Sequence, residues 1–89
     1  MKIIKSPIST KKYRAIFNDG SHTDFGASGY TDYTINKDPK KRAAYLARHR
    51  STENWNDYKS AGSLSRFILW GDSTDLQTNI ANYKKRFNL

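Results

Sequence analysis

The sequence predicts an α+β fold: a small N-terminal antiparallel sheet of two or three strands packed with about three helices. Three observations lead there. Residues 11–17 alternate in character and run into Asn18-Asp19-Gly20, a hairpin signal because glycine accepts the positive φ of a tight turn. Asp38-Pro39 opens a breaker-free run to about Arg50, with an acid able to cap free N–H groups and a proline suited to the first helical position. Leu76, Ile80, Tyr83 and Phe87 recur at helical spacing near the C-terminus.

The elements follow in order. Lys2 to Ile8 alternates weakly and contains Pro7, which suits an edge strand or a basic arm over residues 1–10. Lys11 to Phe17 is a strand with Tyr13, Ala15 and Phe17 on one face and Lys12, Arg14 and Ile16 on the other. Ser21 to Phe25 is the return strand. Gly26 and Gly29 end the sheet, as backbone devices rather than a phosphate cradle. Tyr30 to Ile35 reads as a further short strand or a packed extended loop. In the helix after Pro39, Ala43, Leu46, Ala47 and Arg50 form one stripe, read as a small-sided buried face that approaches the sheet; Arg42, Tyr45 and His49 form another. Ser51 to Ser60 extends this helix or forms a loop pinned by Trp55. Ala61-Gly62-Ser63 is punctuation, with Ser63 as a cap for a short buried helix carrying Leu64, Phe67 and Ile68. Thr74 and Gln77 make a capping box for the last helix. The whole of 1–89 is expected to be one domain, with a hairpin and Gly/Tyr-rich loop over 11–36 and a helical part over 37–87.

A chain this short buries only about 60–65% of its unfolded surface. Its twelve aromatics (four Phe, six Tyr, two Trp) must therefore supply much of the core. Phe17, Phe25, Tyr33, Trp55, Phe67, Trp70, Tyr83 and Phe87 are the expected members. There is no cysteine, which excludes disulfides, thiolate zinc sites and Cys–His catalysis. No apolar run reaches the roughly 18 residues of a membrane span, and the N-terminal apolar stretch is too short for a signal peptide.

The net charge of +8 is arranged in blocks. Residues 1–17 carry five cations and no acid; residues 37–50 carry six cations against Asp38. The candidate surface for nucleic acid or an acidic partner is Lys11, Lys12 and Arg14, then Lys37, Lys40, Lys41, Arg42, Arg48 and Arg50, then Lys84, Lys85 and Arg86. Such groups neutralise phosphates without reading sequence, and Tyr30, Tyr33, Tyr45 and Tyr58 are placed among them to stack bases or to edge the core. The plainer alternative is solubility. His49, Glu53 and Asp57 stand at i, i+4 and i+8 and would share a face able to bind a divalent metal only on a continuous helix. If Ser51-Thr52 frays it, Glu53 is expected to pair with a nearby arginine such as Arg50. No P-loop or dinucleotide fingerprint occurs, so no cofactor is expected.

The run Asp24-Phe25-Gly26-Ala27-Ser28-Gly29-Tyr30-Thr31-Asp32-Tyr33-Thr34-Ile35 holds the densest set of anchors and is read as a structured loop docking the two halves. Asp24 and Asp32 are expected to pair with arginines such as Arg42 or Arg48. With Lys37-Asp38, Tyr45, Arg48-His49-Arg50, Glu53-Asn54-Trp55, Ala61-Gly62, Ser65, Leu69-Trp70 and Lys85-Arg86-Phe87, this run resembles a family of small basic proteins of nucleocytoplasmic large DNA viruses, over roughly residues 11–87. Leu64 stands where the resemblance implies a bulky aromatic. It implies a viral product packaged in the virion, and no catalytic residues. The expectation is a non-enzymatic minor capsid or core component binding packaged DNA, DNA rather than RNA, or acidic virion proteins. Its setting would be the virion and the host cytoplasm or viral factory, not a secreted one. The alternatives are a free DNA- or RNA-binding protein of the infected cell and a small metal-dependent nuclease using His49, Glu53 and Asp57.

Overall fold

β2 (Lys11–Ile16) is the centre of a three-stranded antiparallel sheet, flanked by β1 (Lys2–Lys5) and β3 (His22–Ala27), in a computed structural model that describes all residues 1–89. The register sets Ile3 opposite Ala15 and Tyr13 opposite Phe25. One face of β2 is therefore apolar: Ala15 and Phe25 are fully buried, and the Tyr13 and Phe25 rings lie 5.9 Å apart. The other face pairs Arg14 with Asp24 directly across the strands, where opposite charges stabilise the sheet. Pro7 lies beyond β1, so the edge strand keeps its ladder. Gly20, at φ +88°, makes the hairpin turn as expected.

The chain after β3 forms neither of the two expected arrangements, a further strand or an extended loop, over its whole length: it ends in a helical turn. Tyr30 is 74% exposed, and Asp32 caps a single helical turn, α1 (Tyr33–Asn36), by accepting from the Thr34 amide at 2.9 Å. A carboxylate that satisfies free N–H groups outcompetes the β-propensity of the β-branched residues around it. α2 (Pro39–His49) begins as predicted, with Asp38 accepting from the Lys40 amide and Pro39 in the first turn. Its buried face is not the alanine stripe. Ala43 and Ala47 are exposed, while Tyr45 is buried and Arg42, Leu46 and His49 are half-buried. The larger side chains remove more apolar area from water, so they win the inward position.

α2 ends at His49, and residues 50–60 form turns rather than more helix. α3 (Ala61–Leu64) runs directly into a π-helical stretch, Ser65–Leu69. Its cap is Ser60, which accepts from the Ser63 amide; Ser63 itself is fully buried, against Trp55 O and the Tyr83 hydroxyl. The α3–π segment lies between β3 and α4 (Leu76–Phe87), and buries Leu64, Ile68 and Leu69 against Ala15, Phe17, Phe25, Ile80 and Tyr83. α4 carries the predicted periodicity, with Asp75 rather than Thr74 as its cap, accepting from the Thr78 amide at 3.0 Å. Of the expected core aromatics, Tyr33, Phe67 and Phe87 are half-buried against this centre, Trp55 is half-buried without joining it, and Tyr45 is a member. No helix is long and apolar enough to cross a membrane.

Candidate functional site

Where each carboxylate goes decides which cations are available. Asp24 accepts from Arg14 Nε at 2.9 Å and from Ser6 Oγ at 2.8 Å; Asp32 accepts from Lys12 Nζ at 2.6 Å. The expected partners Arg42 and Arg48 are therefore wrong. Both acids pair inside the N-terminal half, because register and the β3–α1 loop bring Arg14 and Lys12 to them first. Asp72 pairs with Arg42 at 2.9 Å, and Asp19 with Lys59. Glu53 bonds His49 Nδ1 at 2.8 Å and Trp55 Nε1 at 3.0 Å, not Arg50. Asp38, Asp57 and Asp75 accept from the backbone amides of Lys40, Lys59 and Thr78. Each of the eight acids is thus engaged within the fold.

The predicted basic surface divides accordingly. Lys12, Arg14 and Arg42 are structural: Arg42 also donates to the Gly71 carbonyl at 2.9 Å and the Trp70 carbonyl at 3.2 Å. Lys37, Lys40, Lys41, Arg48 and Arg50 are exposed and form no ion pair. The exposed residues of α2 are Pro39, the cations Lys40, Lys41 and Arg48, and the small residues Ala43, Ala44 and Ala47. Lys41 and Arg48 are two turns apart, about 10 Å along the axis. Lys84, Lys85 and Arg86 lie in the last turn of α4, where cations suit the helix dipole, and Arg86 also packs over the Phe67 ring at 4.2 Å. Arg66 had no place in the sequence reading. It is half-buried, against the Phe67 ring at 4.7 Å and the Trp55 ring at 5.1 Å. Burial, then Arg42, pushes its pKa down.

A cleft of about 370 Å³ opens between the end of β3, the C-terminal end of α2 and α3. Lys11 and Lys12, the loop from Gly26 to Asp32, Arg48, His49 and Glu53, and the 61–70 helix all contribute to its walls. The Gly26–Asp32 run is thus a cleft wall as well as a connection. Gly26 sits at φ +79°, where a Cβ would meet Leu69 Cδ1 at 2.8 Å; a Cβ on Gly62 would come within 2.7 Å of Glu53 Oε2. Glycine at these two points lets the walls close and the Glu53 carboxylate enter. Inside, Tyr45 stacks on Trp70 at 4.5 Å and 6° and on His49 at 4.2 Å. Two rings this close cannot share one face of Tyr45, so the three form a pile with His49 at its outer end. Burial, then the Glu53 carboxylate, raises the Tyr45 pKa and keeps it a neutral phenol.

The metal triad is overturned. The helix stops at His49, so Asp57 does not follow His49 and Glu53 along one face, and it instead accepts from the Lys59 amide. No group of three or more His, Cys, Asp or Glu is placed to hold an ion.

The fold and these surfaces define a small α+β protein with a carboxylate-depleted cationic helix face beside an aromatic-walled cleft. Residues 1–49, just over half of the chain, match DUF5754, a family of unknown function, and the chain belongs to that family. The match runs from β1 to the end of α2 and so includes the cationic face and His49. No curated protein and no solved structure matches the chain.

Proposed function

We propose that this protein is a non-enzymatic binder of polyanions, nucleic acid first among them, acting through the outer face of α2. One observation carries the reading. All eight carboxylates are engaged inside the fold, while the outer-face cations of α2, Lys40, Lys41 and Arg48, are exposed and unpaired. A solubilising surface would mix both signs; this face carries one. The alanines between the cations leave room for a phosphate backbone to approach the helix. Contacts of this kind act by releasing counterions and do not read base sequence. DNA is favoured over RNA as the polyanion by the resemblance to proteins of large DNA viruses, which also supports a minor capsid or core role in the particle or the viral factory.

Affinity for a fluorescent duplex, measured over a range of salt, tests the reading. If Lys40, Lys41, Arg48 and Arg50 each meet a phosphate, the log–log slope is about −3 to −4. A flat dependence would overturn it. Abundance of the protein in purified virions would support the packaged role, and its absence there would sink that part.

A further inference from the structure

We infer that the cleft is a binding site for a single nucleoside monophosphate unit, with the ring stacked on His49 and the phosphate held by Arg48 and Lys11. The volume, about 370 Å³, falls in the range of small-ligand sites. The wall is a pile of three rings whose inner members, Tyr45 and Trp70, are each only 8% exposed. His49 is the outer ring: its side chain is 35% exposed, and no further protein ring stacks on it. Its tilt is fixed, because Nδ1 is held by Glu53 and the second Glu53 oxygen is held by Trp55 Nε1. A planar ligand can therefore add a fourth layer to a preorganised stack, and stacking tolerates any base because each has a π-face.

The charge around the stack suits a phosphate. Asp32 and Glu53 face the cleft, but each already has protein donors: Lys12 and Thr34 for the first, His49 and Trp55 for the second. Arg48 and Lys11 line the same cleft without ion-pair partners, and an arginine fork can grip a phosphate with two parallel bonds. Arg48 belongs to the outer face of α2 as well, so a nucleotide in the cleft can be free or can be one unstacked residue of a bound strand. The site rests on cleft geometry and not on the polyanion reading.

Adenosine 5′-monophosphate titrated into the full chain, followed by tryptophan fluorescence, tests the site, since Trp70 is in the wall and Trp55 is bonded to Glu53. Saturation is expected at a Kd below about 1 mM. Adenosine and inorganic phosphate should each bind at least tenfold more weakly. Arg48→Ala and His49→Ala should each weaken the mononucleotide about tenfold, and His49→Phe should restore most of the loss by keeping a ring on Tyr45. Circular dichroism confirms that each variant is folded. Lys41→Ala should weaken duplex DNA and leave the mononucleotide unchanged, which separates failure of the cleft from failure of the α2 face. Displacement by single-stranded oligodeoxyadenylate assigns the site to a strand residue; resistance to displacement assigns it to the free nucleotide. Absence of saturation, equal binding of inorganic phosphate, or unchanged affinity in both Arg48→Ala and His49→Ala would overturn the inference.

Discussion

Arg42 and Arg48 stand on the same helix, six residues apart, and do different work. Arg42 faces inward, is 24% exposed, and joins α2 to the Trp70–Asp72 turn through two carbonyls and one carboxylate. Arg48 faces outward and has no carboxylate partner. The difference is not in the residue type or the local sequence, which is basic at both positions. It lies in what the rest of the chain delivers. The 70–72 turn arrives from the far side of the π-helical stretch and meets one stripe of α2; no carboxylate pairs with the cations of the other. A basic residue becomes a structural cation or a binding cation according to whether a distant carbonyl or carboxylate reaches it.

That comparison can be broken from the inside first. Trp70→Ala removes the base of the ring pile and a buried aromatic, at a cost of roughly 3–5 kcal/mol. For a domain whose whole stability is about 5–10 kcal/mol, chemical denaturation should show a much lower midpoint, or partial unfolding without denaturant. A midpoint close to that of the unsubstituted protein would mean that the pile is not structural. Arg42→Ala should come next. It leaves the Gly71 carbonyl without its donor, while the Trp70 carbonyl keeps the bond from Arg66 Nη1, so a loss of about 1–2 kcal/mol is expected, with the salt slope of DNA binding unchanged in the folded fraction. The double variant Lys41→Ala/Arg48→Ala should show the reverse: stability within about 0.5 kcal/mol, and a salt slope shallower by about 2. If Arg42→Ala changed the slope as much as the double variant does, the division between inner and outer cations would fail.

The smallest effects concern pH. Arg14 and Ser6 hold the Asp24 carboxyl below its ordinary value, and Lys59 and Ser21 do the same for Asp19. Because folding lowers these values, the unfolded chain binds protons first. The stability from both pairs is complete above the ordinary carboxylate range, near pH 4, and is lost as pH falls below it. At the other end, burial raises the Tyr83 phenol to about 12. Its contribution is complete below the ordinary tyrosine value near 10 and is lost as pH rises from there towards about 12. Melting temperature against pH should therefore fall at both ends, and Tyr83→Phe should make the alkaline limb shallower, with Tyr45 keeping the remainder, and leave the acid limb unchanged.

The sheet and the two long helices were legible because their signals are local. Asp19-Gly20, Asp38-Pro39 and the Leu76–Phe87 repeat each act on neighbours a few residues away. The errors share one cause. The inward face of α2, the partners of Asp24 and Asp32 and the capping of α4 all depend on which of several locally acceptable options a distant segment favours. Asp75 and Thr74 are both competent caps; the chain path after Gly71 selects Asp75. Glu53 had Arg50 three residues away, yet helix termination at His49 and the bond from Trp55 give it His49 instead.

Local signals alone thus establish the class of fold, the cationic excess and the helix on which four of the cations stand, Lys40, Lys41, Arg42 and Arg48. These follow from local backbone preferences and from counting charges. Packing alone selects which of those cations stay unpaired, and makes the glycine-rich run, the end of α2 and the 61–70 helix enclose one aromatic-walled cleft. The physical reason is range. Capping and periodicity act within a turn of chain, whereas an ion pair such as Lys12–Asp32 or a stack such as Tyr45–Trp70 joins residues about twenty or more positions apart, and only packing brings them together.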